Sequence, residues 1–179
     1  VDGSAATSLL VRFFNHIKQP YFYYIPDRVN DGYGASVNLF HKLIIKKPKL
    51  VIMVDCGSTS NEAINYLNKN NIRSIIIDHH EINKPYPKSN IIINPKKNDG
   101  YEEFDYFCAT ALTYFFIDIL IKKIRSDFKL KNFLIYVGIC LRLTILYVGK
   151  RMVFFSSPII CQRRFSNEKV GNRKKLSPL

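Results

Sequence analysis

The chain has no tryptophan, two methionines, four cysteines and four histidines among its 179 residues. It is also short of acid: 14 Asp and Glu stand against 27 Lys and Arg, a formal net charge of +13. The shortage is uneven. The first 133 residues carry 18 basic and 13 acidic residues, whereas from Leu134 onward nine basic residues face a single acid, Glu168. The spacings of Cys56, Cys108, Cys140 and Cys161 match neither a zinc ribbon nor a thioredoxin-type pair. Each lies in or beside an apolar run, so buried free thiols are expected. No apolar run is long enough to span a bilayer. The longest, 133–149, is roughly seventeen residues and is broken by Arg142, which predicts a buried element instead. The opening Val1-Asp2-Gly3 lacks the basic region of a secretory signal. Together these absences argue against a disulfide scaffold and a membrane protein, and predict a soluble cytoplasmic one. An apolar content of 47% excludes wholesale disorder. The basic surplus suits a polyanion such as nucleic acid, and suits a solvated lysine-rich surface equally.

What the chain does have is a set of short apolar runs that end in metal-ligating residue types. Ile75-Ile76-Ile77 runs into Asp78-His79-His80, and Leu50-Val51-Ile52-Met53-Val54 runs into Asp55-Cys56-Gly57. Continuous apolar runs of this length predict parallel strands covered on both faces. Between them, Thr59 and Glu62 read as a capping box opening a helix that turns Ala63, Ile64 and Leu67 inward. Ser4 reads as the N-cap of an earlier helix with Ala6, Leu9, Leu10, Phe13 and Phe14 at helical spacing, which leaves Asp2-Gly3 in the turn before it. A short aromatic strand is predicted over 21–25, a polar glycine-punctuated loop over 26–34, a strand over 91–93 and a helix over 105–123. Strand and helix alternate, so the fold class is α/β, with a mainly parallel sheet flanked by helices. Right-handed crossovers then bring Asp2, Asp55 and Asp78-His79-His80 to one edge of that sheet.

An Asp at a strand tip can simply cap the next helix, and a lone His is more often structural. Two adjacent imidazoles behind an Asp, facing a second Asp, are harder to explain by packing. Desolvating such groups together is costly, and a cation offsets the cost. Oxygen and imidazole donors suit Mn²⁺ or Mg²⁺, and pairs of such ions hydrolyse phosphodiesters.

Asp78-His79-His80 after an apolar strand, with Val54-Asp55-Cys56-Gly57 upstream, resembles the phosphoesterase superfamily named after its Asp-His-His motif. The opening Val1-Asp2-Gly3-Ser4-Ala5-Ala6-Thr7-Ser8 resembles the rear half of that superfamily's first motif. The loop Ile25-Pro26-Asp27-Arg28-Val29-Asn30-Asp31-Gly32-Tyr33-Gly34 and the segment Phe107-Cys108-Ala109-Thr110-Ala111 are similar to the RecJ family of exonucleases. The resemblance covers residues 1–139. It implies metal-dependent 5′→3′ hydrolysis of single-stranded DNA with Mn²⁺ or Mg²⁺, in repair and recombination. It also implies roles: Asp55 bridging two ions, Asp2 and His79 binding one of them, and Asp78 near the metal. His80 would face the scissile phosphate, and Arg28 and Asp31 would orient the loop or the DNA backbone. For Asp31-Gly32 a plain turn explains the residues as well.

The pattern also departs from that family. The acids expected before Asp2, and the Asp expected after the strand-like 134–139, have no counterpart; Cys140-Leu141-Arg142 follows instead. Residues 140–179 therefore read as a divergent or out-of-frame basic tail. The expectation is a partial chain of weak or no turnover, completed in the family by a further domain that a separate gene could encode. The alternatives are a non-catalytic relic or nucleic-acid-binding module, or a phosphoesterase acting on short oligonucleotides.

Overall fold

A computed structural model of the chain describes residues 2–27, 31, 34–97, 102–133 and 159–163. Helix α1 (Asp2–His16) leads into strand β1 (Tyr21–Tyr24), then α2 (Val37–Leu43), β2 (Pro48–Val54) and α3 (Asn61–Lys69). Strands β3 (Arg73–Ile77) and β4 (Ile91–Ile93), helix α4 (Ala109–Ile124) and strand β5 (Ile159–Arg163) complete it. The sheet order is β1-β5-β2-β3-β4. Strands β2, β3 and β4 run parallel, and β5 lies antiparallel between β1 and β2. The α/β class and the mainly parallel sheet flanked by helices are as the sequence predicts.

The apolar runs of β2 and β3 are unbroken because both sheet faces are covered. Ile52, Val54, Ile75 and Ile77 turn toward α1 and α4, where Leu9, Leu10, Phe13 and Ile117 pack. Val51, Met53 and Ile76 turn the other way, against Leu39 and Phe40 of α2 and Ile64 and Leu67 of α3. The two-residue alternation of a strand thus feeds two separate cores. The parallel register pairs Val54 with Ile77, so the next residues, Asp55 and Asp78, emerge side by side at the carboxyl edge. The ladder extends past the strand ends: Asp55 N–H donates to Ile77 O at 2.9 Å, and Asp78 N–H to Ile93 O at 3.0 Å.

Several local expectations are corrected. α1 begins at Asp2, not behind Ser4, so Asp2 and Gly3 are helical. α3 begins at Asn61 with Ser60 in the cap position and no side-chain cap bond, so Thr59 and Glu62 form no capping box there. α4 begins at Ala109, four residues later than its periodicity suggested, because Cys108 is extended. The segment 159–163, inside the region read as tail, is a sheet strand; its few residues carry no period from which this could be seen. Cys56 and Cys108 are buried and form no disulfide. Among the described residues no helix is long and apolar enough to cross a membrane. The strand-like 134–139, the run 133–149 beyond Phe133, and most of 140–179 lie outside the described residues, as does Arg28.

Candidate metal centre

Gly57 makes the turn at the tip of β2 possible. Its φ is +110°, and a Cβ there would meet Ile76 and Met53 side-chain atoms at 3.2–3.3 Å. Asp55 is itself left-handed at φ +60°, a conformation Asp tolerates better than most residues. The turn carries the Asp55 carboxylate back across the sheet edge. Its Oδ2 accepts from Gly3 N–H of α1 at 3.1 Å, and its Oδ1 lies 3.2 Å from His79 Nε2 and 3.9 Å from His80 Nδ1. Asp55, His79 and His80 each offer a donor atom, all within 4.8 Å of one another.

Asp78 stands behind this group, with 1% of its side chain exposed. Oδ2 accepts from Ser58 N–H at 3.1 Å. Oδ1 accepts from the main-chain N–H groups of His79 and His80, and from His80 Nδ1 at 2.7 Å. Burial pushes its pKa up, but the bonds from His80 and Ser58 outweigh that and hold it well below the carboxylate range. In return the Asp78 bond raises His80, against the opposing effect of burial. An Nδ1–H committed to Asp78 fixes the tautomer and leaves Nε2 of His80 as the free ring nitrogen. The His80 side chain is half-exposed.

Asp2 touches both α4 and His79. Its carboxylate accepts from Ala109 N–H at 2.7 Å and Thr110 N–H at 2.8 Å, so it caps α4 from another helix. This explains how α4 starts without a side-chain cap of its own. Asp2 Oδ2 still lies 3.6 Å from His79 Nε2, one layer behind the close group. His79 is thus flanked by two carboxylates.

Asp31 is not part of the cluster. Tyr24 Oη (2.6 Å) and Lys42 Nζ (2.8 Å) donate to its carboxylate, as does Asp27 N–H. The clamp holds the start of the 26–34 loop against β1 and α2. The far end of that loop reaches the site, since Gly34 abuts Cys56.

Two contributors escaped the sequence reading. Asn94 donates from Nδ2 to Ser58 Oγ at 2.8 Å and to His80 O at 2.9 Å, tying β4 to both flanking turns. Thr110, with Ala109, fixes Asp2. Asn94 follows the apolar run of β4 as Asp55 follows β2 and Asp78 follows β3, so the same signal marks it.

The carboxylates and imidazoles gather at the carboxyl edge of a parallel sheet, the edge at which open α/β domains usually bind their ligands. Comparison with known proteins makes this particular. Residues 1–139 match the DHH family, N-terminal domain, and the chain belongs to that family. The single-stranded-DNA-specific exonuclease RecJ of Haemophilus influenzae is 30% identical over 95 residues, which is 52% of this chain and 16% of that protein. The RecJ proteins of Bacillus subtilis and Thermus thermophilus are each 29% identical, over 54% and 57% of this chain and 12% and 15% of theirs. The matched stretch is therefore under a fifth of those relatives' length. A crystal structure of exonuclease RecJ bound to manganese superposes with TM-score 0.58 at 23% identity, covering 67% of this chain and 30% of that one. That likeness establishes the shared fold.

Proposed function

We propose that this chain is the catalytic-domain portion of a RecJ-type nuclease, a hydrolase that cleaves phosphodiesters of single-stranded DNA with the aid of Mn²⁺ or Mg²⁺. The observation that carries this reading is the convergence of Asp55, His79 and His80 donor atoms within 4.8 Å at the sheet's carboxyl edge. The donor set fits a divalent ion: one carboxylate oxygen and two imidazole nitrogens, with Asp78 orienting one ring from behind. Two imidazoles favour Mn²⁺ over the strictly oxygen-seeking Mg²⁺. The names of the relatives support the substrate, and manganese in the RecJ structure supports the ion.

In this reading Asp55, His79 and His80 hold the ion, and Asp2 keeps His79 in place while capping α4. When bound, such an ion supplies Lewis acidity toward a phosphodiester. His80 faces the substrate phosphate. Its Nε2, left open by the Asp78 bond at Nδ1, is the atom it offers to the ion. Asp78 holds the ring at Nδ1 so that Nε2 stays presented. Asp31 orders the loop whose other named residue, Arg28, would meet the DNA backbone. Residues 1–139 form the phosphoesterase-like unit, and β5 from the basic stretch that follows joins its sheet. The protein acts in the cytoplasm on single-stranded DNA, in repair and recombination, with no membrane partner and with a separately encoded chain as a candidate completing domain.

One specific observation favours a weaker variant of this reading. Among the described residues the close group has a single carboxylate, with Asp2 just behind it and bonded to α4, which suits one ion better than a pair. The test is nucleotide release from 5′-labelled single-stranded DNA with Mn²⁺, against a His79→Ala control. Mn²⁺-dependent release lost in the control supports the nuclease. A folded wild-type chain that binds Mn²⁺ but releases nothing reduces the reading to a non-catalytic binding module.

A further inference from the structure

The row of polar residues across the three parallel strand tips ends in an amide. The register pairs Val54 with Ile77 and Ile77 with Ile93, so Asp55, Asp78 and Asn94 follow at the same level. The first two are acids; the third is neutral and buried. An Asp would fill the third place equally well by size. The difference lies in hydrogen-bond chemistry, since an amide donates as well as accepts.

Asn94 uses the two ends of its amide in different places. Oδ1 accepts from Lys96 N–H at 2.9 Å and closes a turn two residues on, which a carboxylate would do as well. Nδ2 leaves that turn. It donates to Ser58 Oγ at 2.8 Å, 36 residues earlier, and to His80 O at 2.9 Å, 14 residues earlier. A main-chain N–H can only donate and a carbonyl only accept, so these partners fix which way the amide faces. Both hydrogens of the one NH₂ group are thus spent on the turns that flank Asp78. The bonds close a ring. Ser58 N–H donates to Asp78 Oδ2, Asp78 Oδ1 accepts from the N–H and the Nδ1 of His80, and the His80 carbonyl returns to Asn94. Asp78 holds His80 by its N–H and its ring; Asn94 holds it by its carbonyl. Ser58, Asp78 and Asn94 are all buried, so a bond lost inside the ring is not replaced by bulk water.

We propose that Asn94 is a positioning residue of the metal centre. Through Ser58 and His80 it locks the 78–80 turn to the 55–58 turn, and so sets where the His80 ring stands against Asp55 and His79. The effect on a metal ion rests on the metal-binding reading above; the placing of the ring does not. The short edge strand β4 then matters to the site through one side chain.

Asn94→Asp separates this role from a local one. It keeps the shape and the turn to Lys96, replaces only the NH₂ donor, and adds a negative charge near the cation site. Mn²⁺ affinity of the full chain, measured by calorimetry without DNA, should fall about tenfold. The added charge acting alone would raise it. A second readout needs no metal. The His79 and His80 ring centroids are 4.8 Å apart, so a nuclear Overhauser contact between the rings should be present in wild type and lost in Asn94→Asp. Ser58→Ala keeps the Ser58 N–H bond to Asp78 and removes only the Oγ that Asn94 uses. It should weaken Mn²⁺ binding by itself and add nothing in the double variant with Asn94→Asp, since both remove the same bond. An affinity at or above wild type in folded Asn94→Asp, a retained ring contact, or losses that multiply in the double variant overturns the proposal. If Asn94→Asp does not fold, Ser58→Ala decides: a weakened ring contact supports the role and an unchanged one overturns it. A wild-type chain that binds no Mn²⁺, yet loses the ring contact on Asn94→Asp, supports the positioning role and overturns only the metal-binding reading.

Discussion

Asp78 at the tip of β3 and Asp31 beside β1 are both closed to water, with 1% and 2% of their side chains exposed. Both are held below the ordinary carboxylate range, in each case by donors that outweigh burial. They differ in what lies beyond those donors. Asp31 is met by a lysine ammonium, a tyrosine hydroxyl and the Asp27 N–H, and among the described residues no hydrogen bond carries these on to the metal centre. Asp78 is met by main-chain N–H groups and by Nδ1 of His80, which also lies 3.9 Å from Asp55 Oδ1, and the half-exposed ring keeps its second nitrogen open. A buried carboxylate is thus structural when its partners use it up. It bears on chemistry when one partner passes its influence outward.

The sharpest way to break the comparison is to remove carboxylates from the two regions in parallel. Asp55→Ala deletes the only carboxylate in the close donor group among the described residues. Mn²⁺ affinity, measured by calorimetry, should fall on the order of a hundredfold or more. Asp31→Ala should leave it within about threefold, since Asp31 contributes no atom to the group. Equal losses would mean that the Asp31 clamp also supports the metal centre, and the division between the regions would go.

Asp78→Asn tests whether Asp78 works through His80. The amide can still fill the space, but the charge-assisted bond to Nδ1 is lost. Activity should fall by about 10- to 100-fold, and the His80 pKa should drop from its raised value, read by ¹⁵N resonance of the ring. An activity loss with an unmoved His80 titration would show that Asp78 acts only by anchoring the turn through Ser58.

Gly57→Ala probes the scaffold of the same edge. At φ +110° with Ile76 and Met53 at 3.2–3.3 Å, an added methyl group has neither backbone freedom nor room. A loss of about 1–3 kcal/mol in denaturant unfolding is expected, with metal affinity falling alongside because the turn that aims Asp55 is displaced.

Much of this edge was legible in the chain, because period and position coincide there. The apolar runs of β2 and β3 are covered on both faces, and each of them, like the edge strand β4, is followed at once by its polar residue: Asp55, Asp78 and, overlooked, Asn94. The reading stopped short where a residue's partner is remote in sequence. Nothing around Asp2 shows that its carboxylate also caps a helix 107 residues away. Asp31 likewise gives no sign in the sequence that Tyr24 and Lys42 close on it. The strand at 159–163 was hidden for a different reason. Five residues inserted between β1 and β2 leave no helical or alternating signature, and sheet pairing is decided by the neighbouring strands.

The smallest effect expected is on the structural side of the comparison, and its sign depends on pH. Lys42 and Tyr24 hold Asp31 at about 2, below its ordinary value near 3.9. A depressed carboxylate contributes stability that is fully present above about pH 4 and is lost as pH falls through about 2. The same bond, with burial, pushes the Tyr24 phenol up to about 12, from an ordinary value near 10. A raised phenol contributes stability below about pH 10 that is lost as pH rises through about 12. Asp31→Asn should therefore cost about 1 kcal/mol or less at neutral pH, where a half-exposed Lys42 screens the pair. Its signature is a flatter curve of melting temperature against pH on both limbs. Unchanged limbs would mean that the clamp is equally populated in the unfolded chain, and Asp31 would then order its loop without stabilising the fold.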